Sequence, residues 1–168
     1  MRLPRYDYSS PGVYFVTVCV KGMYCLLGHI VGGGVYDAPQ MRLSAQGAIV
    51  RKYIDVMAGK YPHIRIAKYV IMPNHIHMLI VIDGGAQVDG ASQAPHPTNA
   101  VLPKFVSLLK RYCNHEIGYN IFQRSYHDHI IRDEAGYRKI WHYIDTNTSK
   151  WKQDRFYVGS GACDAPQQ

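Results

Sequence analysis

The segment "KYVIMPNHIHMLIVID", Lys68 to Asp83, constrains this chain more than any other. Two runs rich in Val and Ile meet at Pro73-Asn74, a turn-like pair, and together they read as a hairpin. The second arm is apolar without a break after His77, as expected of a strand at the centre of a sheet. Its neighbour, "HIRIAKYVI", alternates enough for a strand. An earlier stretch, "GVYFVTVCV" from Gly12 to Val20, follows the breaker "SSPG" and carries the β-branched and aromatic residues of another largely buried strand.

Helical spacing fills the intervals. Ser44 is a candidate N-cap for a helix running to about Ala58, with Ile49, Tyr53, Ile54 and Met57 on one face and Gly59 at its end. In "VLPKFVSLLKRYCNHEI", Phe105, Leu108, Leu109 and Tyr112 form an apolar stripe, while Lys104, Lys110 and Arg111 lie off it. A strand-like "QRSYHDHIIR" leads into a last helix, with Asp133 as candidate N-cap and Tyr137, Ile140, Trp141 and Ile144 as the packed stripe. Residues 84–100 are too poor in large apolar groups to offset their ordering entropy and read as a flexible loop; residues 158–168 read as a disordered tail. A chain of 168 residues, 47% of them hydrophobic, supports one core, so a single domain over residues 1–157 is expected. These elements predict an α+β fold, an antiparallel sheet of about four or five strands with helices packed on one face.

The formal charge of +7 leans toward a polyanionic partner. Cys19, Cys25, Cys113 and Cys163 form no CxxC pair and the N-terminal residues lack the apolar run of a signal peptide, so a cytoplasmic, reduced chain is expected. The longest apolar run, "MLIVI", is far short of a membrane span.

On a strand, His75 and His77 project to one face while Ile76 and Met78 take the other. Two neutral imidazoles so placed suit a divalent cation such as Mn²⁺ or Zn²⁺, or Mg²⁺ where oxygen ligands complete the shell; the alternative is a surface-facing pair at a strand end. In the last helix Tyr143 and Asn147 stand one turn apart on a face other than the packed stripe, so a hydroxyl nucleophile and an oxygen ligand could approach the histidines together. Lys139 lies one turn before Tyr143, where its charge would favour the phenolate; the alternative is that Tyr143 is an ordinary amphipathic-helix residue.

The segments "YVIMPNHIHMLI" and "FQRSYHDHIIRDEAGYRKIWHYIDTNTSKW", in that order, resemble the REP-associated tyrosine transposases and their relatives, single-tyrosine HUH endonucleases of bacterial mobile elements. "PGVYFVTVCV" resembles the first strand of that family, so the likeness runs from about Tyr8 to Tyr157. The resemblance implies a ferredoxin-like core, His75 and His77 as metal ligands, Asn147 as third ligand and Tyr143 as nucleophile. It further implies Mg²⁺ or Mn²⁺ as cofactor, and single-stranded or hairpin DNA as the partner cut through a 5′-phosphotyrosine. The family commonly has Asn-Pro where this chain has Asn147-Thr148.

His127 and His129 alternate on their strand and face the same way, so they are expected as supports of the metal site or phosphate contacts, with a second ligand pair as the alternative. Arg124, Arg132, Lys104, Lys110 and Arg111 are candidate DNA contacts. Monomer and homodimer both stay open. Two rival readings share the sheet: a non-catalytic nucleic-acid-binding module, and a metal phosphohydrolase using activated water, which needs no tyrosine.

Overall fold

Strand β1 (Gly12–Cys19), helix α1 (Ala45–Lys60), strands β4 (Ile64–Met72) and β5 (His75–Ile82), helix α2 (Val101–Ile117) and strand β6 (His127–Ile131) follow one another as βαββαβ. In this computed structural model, which describes residues 10–34, 37–84 and 100–159, they form an antiparallel sheet in the order β4-β5-β1-β6. That is a split βαβ arrangement, with β5 inserted between β1 and β4. Two short strands, β2 (Gly28–Val31) and β3 (Gln40–Leu43), pair separately, and helix α3 (Glu134–Thr146) follows β6. The predicted loop and tail lie largely outside the described residues.

Alternation along the two central strands divides the molecule. Ile76, Met78, Ile80 and Ile82 of β5 join Tyr14, Val16 and Val18 of β1 in a core closed by Val50, Ile54 and Met57 of α1 and Leu102, Phe105 and Leu109 of α2. Leu79, Phe15 and Val13 face the other way and pack with Tyr137, Ile140, Trp141 and Ile144 of α3. The helices therefore do not all lie on one face: α1 and α2 cover one, α3 the other. The physical reason is already in β5. A strand wetted on one side alternates with polar residues, whereas one covered on both reads as an unbroken apolar run.

Strand β4 changes phase partway. Ile66 pairs with Ile80 but Lys68 pairs with Leu79, so Ala67 is an extra residue bulged out of the ladder. Before the bulge Ile64 and Ile66 point to the α1/α2 core; after it Tyr69 and Ile71 do so, and Val70 turns to the α3 side.

Both predicted N-caps form. The Ser44 hydroxyl accepts from the Gly47 N–H at 3.1 Å and the Asp133 carboxylate from the Gly136 N–H at 2.7 Å, each satisfying a donor the first helical turn leaves unpaired. Helix α1 runs two residues past Ala58, and Val50 rather than Ile49 is its buried residue there. Cys19 and Cys113 are buried free thiols. No helix among the described residues is long and apolar enough to cross a membrane.

Candidate active site

The Pro73-Asn74 turn delivers His75 and His77 onto the α3 side of β5. Both are buried, 0% and 1% exposed, and therefore not a surface-facing pair. Asn74 fixes the first ring. Its amide donates to the Met23 carbonyl at 3.2 Å and to the Phe156 carbonyl at 2.9 Å, which leaves Asn74 Oδ1 only as an acceptor. His75 Nδ1, 2.8 Å from that oxygen, must carry the proton, and its Nε2 is then a lone pair. His77 Nδ1 lies 2.8 Å from Thr17 Oγ1 on β1, and its Nε2 faces His75 Nε2 at 2.9 Å. Burial holds both rings below the ordinary histidine value; the neighbouring His77 adds to this for His75, while Asp154 opposes it for both. Two neutral rings turning nitrogens toward one point are what a cation requires.

Helix α3 brings the next groups. Ile144, 2% exposed, anchors the helix against the sheet, so Tyr143 and Asn147 are carried over the histidines. Tyr143 Oη is 3.2 Å from His77 Nε2, and its ring stands edge-on to Phe15 with centroids 5.9 Å apart. Asn147 is 2% exposed; its Oδ1 is buried and has no hydrogen-bond partner. An orphaned carbonyl oxygen of this kind is costly unless something binds it, and a cation would.

Sequence reasoning missed the segment that follows. After α3 the chain turns through the short 3₁₀ helix Trp151–Gln153 and returns over the site. Asp154 Oδ2 accepts from Tyr143 Oη at 2.7 Å and from Asn147 Nδ2 at 2.9 Å, while Oδ1 accepts from the Phe156 N–H at 2.7 Å. The Phe156 ring lies 4.7 Å from His75 and 5.9 Å from His77, and Trp151 lies 6.0 Å from His75. Burial pushes the Asp154 carboxyl up, but its contacts with His77, the Phe156 N–H, Tyr143 and Asn147 outweigh this and hold it well below the usual carboxylate range. Burial, reinforced by Asp154, raises the Tyr143 phenol, which Asn147 and Arg155 partly offset. Among the described residues, His75, His77 and Asp154 form a group whose donor atoms lie within 4.8 Å of one another and could hold a metal ion. Two imidazoles with two oxygens suit Mn²⁺ or Mg²⁺ better than a soft thiolate-seeking metal.

The other predicted residues lie farther out. Lys139 is exposed, and the cation acting on Tyr143 is Arg155 instead, because α3 turns Lys139 away from the sheet. His127 is exposed but pairs across the sheet with Thr17, in the cross-strand row of His77, and its ring is 6.0 Å from Phe156. His129 pairs with Phe15 one row away and lines a shallow cavity with Asp128 and Arg132. The Lys110 ammonium is spent on loop carbonyls of Gln123, Arg124 and Ser125 at 3.0, 3.4 and 3.0 Å, so it braces that loop rather than facing a ligand. Arg111 is exposed along a groove with His115 and Tyr119, Arg124 and Arg132 are exposed, and Lys104 is half-buried. No signal in the spacing of "KQDRFY" marks Asp154; it reaches the site through a turn.

No family model matches the chain. An uncharacterized protein of Haemophilus influenzae (strain Rd) is 37% identical over 174 residues, covering 94% of this chain and 92% of its own length. Among solved structures, a REP-associated tyrosine transposase bound to a REP hairpin superposes with a TM-score of 0.62 at 22% identity, over 94% of this chain and 76% of that one. The chain thus belongs to the same family as the Haemophilus influenzae protein, and its fold is that of the REP-associated tyrosine transposase its motifs resemble.

Proposed function

We propose that this chain is a divalent-cation-dependent single-strand DNA endonuclease and strand transferase, acting on hairpin-bearing DNA through a phosphotyrosine at Tyr143. One observation carries the reading: a tyrosine hydroxyl stands 3.2 Å from His77 Nε2, at the point where two histidine nitrogens converge beside an unpartnered Asn147 oxygen. The transposase that shares the fold was solved on a hairpin, and a charge of +7 suits a DNA partner.

His75, His77 and Asn147 are the residues that would hold Mg²⁺ or Mn²⁺. Such an ion supplies Lewis-acid polarisation of the scissile phosphodiester and offsets its charge. Tyr143 Oη attacks the phosphorus in line, the bond to the 3′ oxygen breaks, and a 5′-phosphotyrosine and a free 3′-hydroxyl result. The phenolic proton already points at Asp154 Oδ2, a carboxylate held ionised. Phe15 and Ile144 fix the direction of the phenol, which is how an attacking atom gains its advantage over one free in solution. Attack by another 3′-hydroxyl on the phosphotyrosine releases Tyr143 and joins strands without ATP.

The test is covalent capture. Wild-type chain incubated with single-stranded hairpin oligonucleotides and Mn²⁺ should yield an adduct that survives denaturation, with the modified peptide mapping to Tyr143. Tyr143→Phe should bind Mn²⁺ and DNA yet form none. Binding without an adduct would favour the non-catalytic module, cleavage without an adduct the hydrolytic reading, and an adduct on Tyr137 or Tyr126 would remove Tyr143 from its role.

A further inference from the structure

We infer that Asp154 is itself a donor of the cation centre formed with His75, His77 and Asn147, and that its carboxylate is shared between that centre and the nucleophile. The inference rests on the cation reading proposed above and adds a ligand from a segment that the motifs do not cover.

Three observations point the same way. First, Asp154 Oδ2 is 3.9 Å from His77 Nε2, the two histidine Nε2 atoms are 2.9 Å apart, and the donor atoms of these three side chains all lie within 4.8 Å of one another. Ligands about 2.1 Å from one small ion stand about 3 Å apart at right angles and about 4.2 Å apart when opposed, so these separations need little adjustment. Second, the Asp154 side chain is 2% exposed, and among the described residues no Lys or Arg lies within ion-pair distance of it. Buried carboxylates are ordinarily paired with a charge or bound to a metal, and this one has only hydrogen-bond donors. Third, the Phe156 N–H occupies Oδ1, which aims Oδ2 into the site.

The consequence is a centre with one anionic ligand, which would retain its ion before DNA arrives. Tyr143 Oη, 2.7 Å from the same oxygen, is then held one atom away from the ligand shell.

Mn²⁺ binding to the full chain without DNA, measured by calorimetry and by the Mn²⁺ electron paramagnetic resonance signal, tests this. Asp154→Asn should weaken binding by about 10-fold or more, and Asp154→Glu should recover part of it. Tyr157→Ala loosens the same turn, where Tyr157 packs on Trp151, without removing a donor, and should keep affinity within about threefold. Circular dichroism checks that each variant is folded. Unchanged or tighter binding in Asp154→Asn, or equal weakening in Tyr157→Ala, would overturn the inference while leaving the His75/His77 centre intact. A wild-type chain that binds no Mn²⁺ would overturn the cation reading and this ligand with it.

Discussion

The two faces of the sheet are built from alternate residues of the same strands and obey opposite rules. On the α1/α2 face every inward residue of β5, from Ile76 to Ile82, is apolar and closed against other apolar groups. On the α3 face the same strand supplies His75 and His77, met by the buried Thr17 and Asn147 and by Asp154, whose side chain is 2% exposed. Burial of polar groups is costly unless each finds a partner, and here one does not, the Asn147 oxygen. The first face lowers the free energy of the fold and the second draws on it, so a change in either should separate stability from chemistry.

The sharpest way to break the comparison is a pair of neighbours. His77→Ala should lower DNA cleavage by at least about 10²-fold, as loss of a group that positions transition-state charge stabilisation typically does, with a modest loss of stability. Met78→Ala, one residue on, should cost about 2–5 kcal/mol in denaturant unfolding while the folded fraction cleaves normally. Cleavage rates and unfolding midpoints measured on both variants would erase the contrast if they moved together.

Asn74→Ala should come next. It removes the group that sets the His75 tautomer and leaves the Met23 and Phe156 carbonyls without their donor, for about 1–3 kcal/mol of stability. Because it also frees the ring, Mn²⁺ affinity should fall by about 10- to 100-fold, as for the loss of other groups that orient a ligand. Wild-type affinity in this variant would show that His75 is oriented by something else.

The smallest expected effect concerns pH. His75 and His77 have folded values below the ordinary 6.5, so the unfolded chain takes up protons first as pH falls. The proton balance then favours unfolding, and stability of the metal-free chain should decline below about pH 6.5, by at most about 1.4 kcal/mol per pH unit for each ring. Above that pH neither ring contributes a slope. Replacing both histidines with Gln should flatten the acid limb between about pH 6.5 and 5, and an unchanged limb would assign it to other groups.

What the sequence discloses follows the same division. Local chemistry was legible: the Ser44 and Asp133 caps, the Pro73-Asn74 hairpin and the one-turn spacing of Tyr143 and Asn147 all depend on residues a few positions apart. The unbroken run of β5 marks the central strand that it is, and the same run carries the cover on both faces that an expectation of helices on one face leaves out. Asp154, Arg155 and Phe156 were not legible, because a turn after α3 rather than a periodic element carries them to the histidines. Lys139 misled for the converse reason: spacing along a helix gives adjacency but not which neighbour lies over the sheet.

The bulge at Ala67 has a consequence for how chains of this kind can change length. Because Ile66 already pairs with Ile80 and Lys68 with Leu79, removing position 67 would close the ladder into regular alternation and leave the rest of the strand on its present sides. Tyr69, whose hydroxyl reaches Asp55 on α1, would stay on the core side, and Lys68, paired with Asp145 and lying over Trp141, would stay on the α3 side. A deletion farther along β4 would instead turn the residues between it and the bulge, or those beyond it, to the opposite face, so a length change in this strand among related chains should be tolerated at the bulge rather than elsewhere.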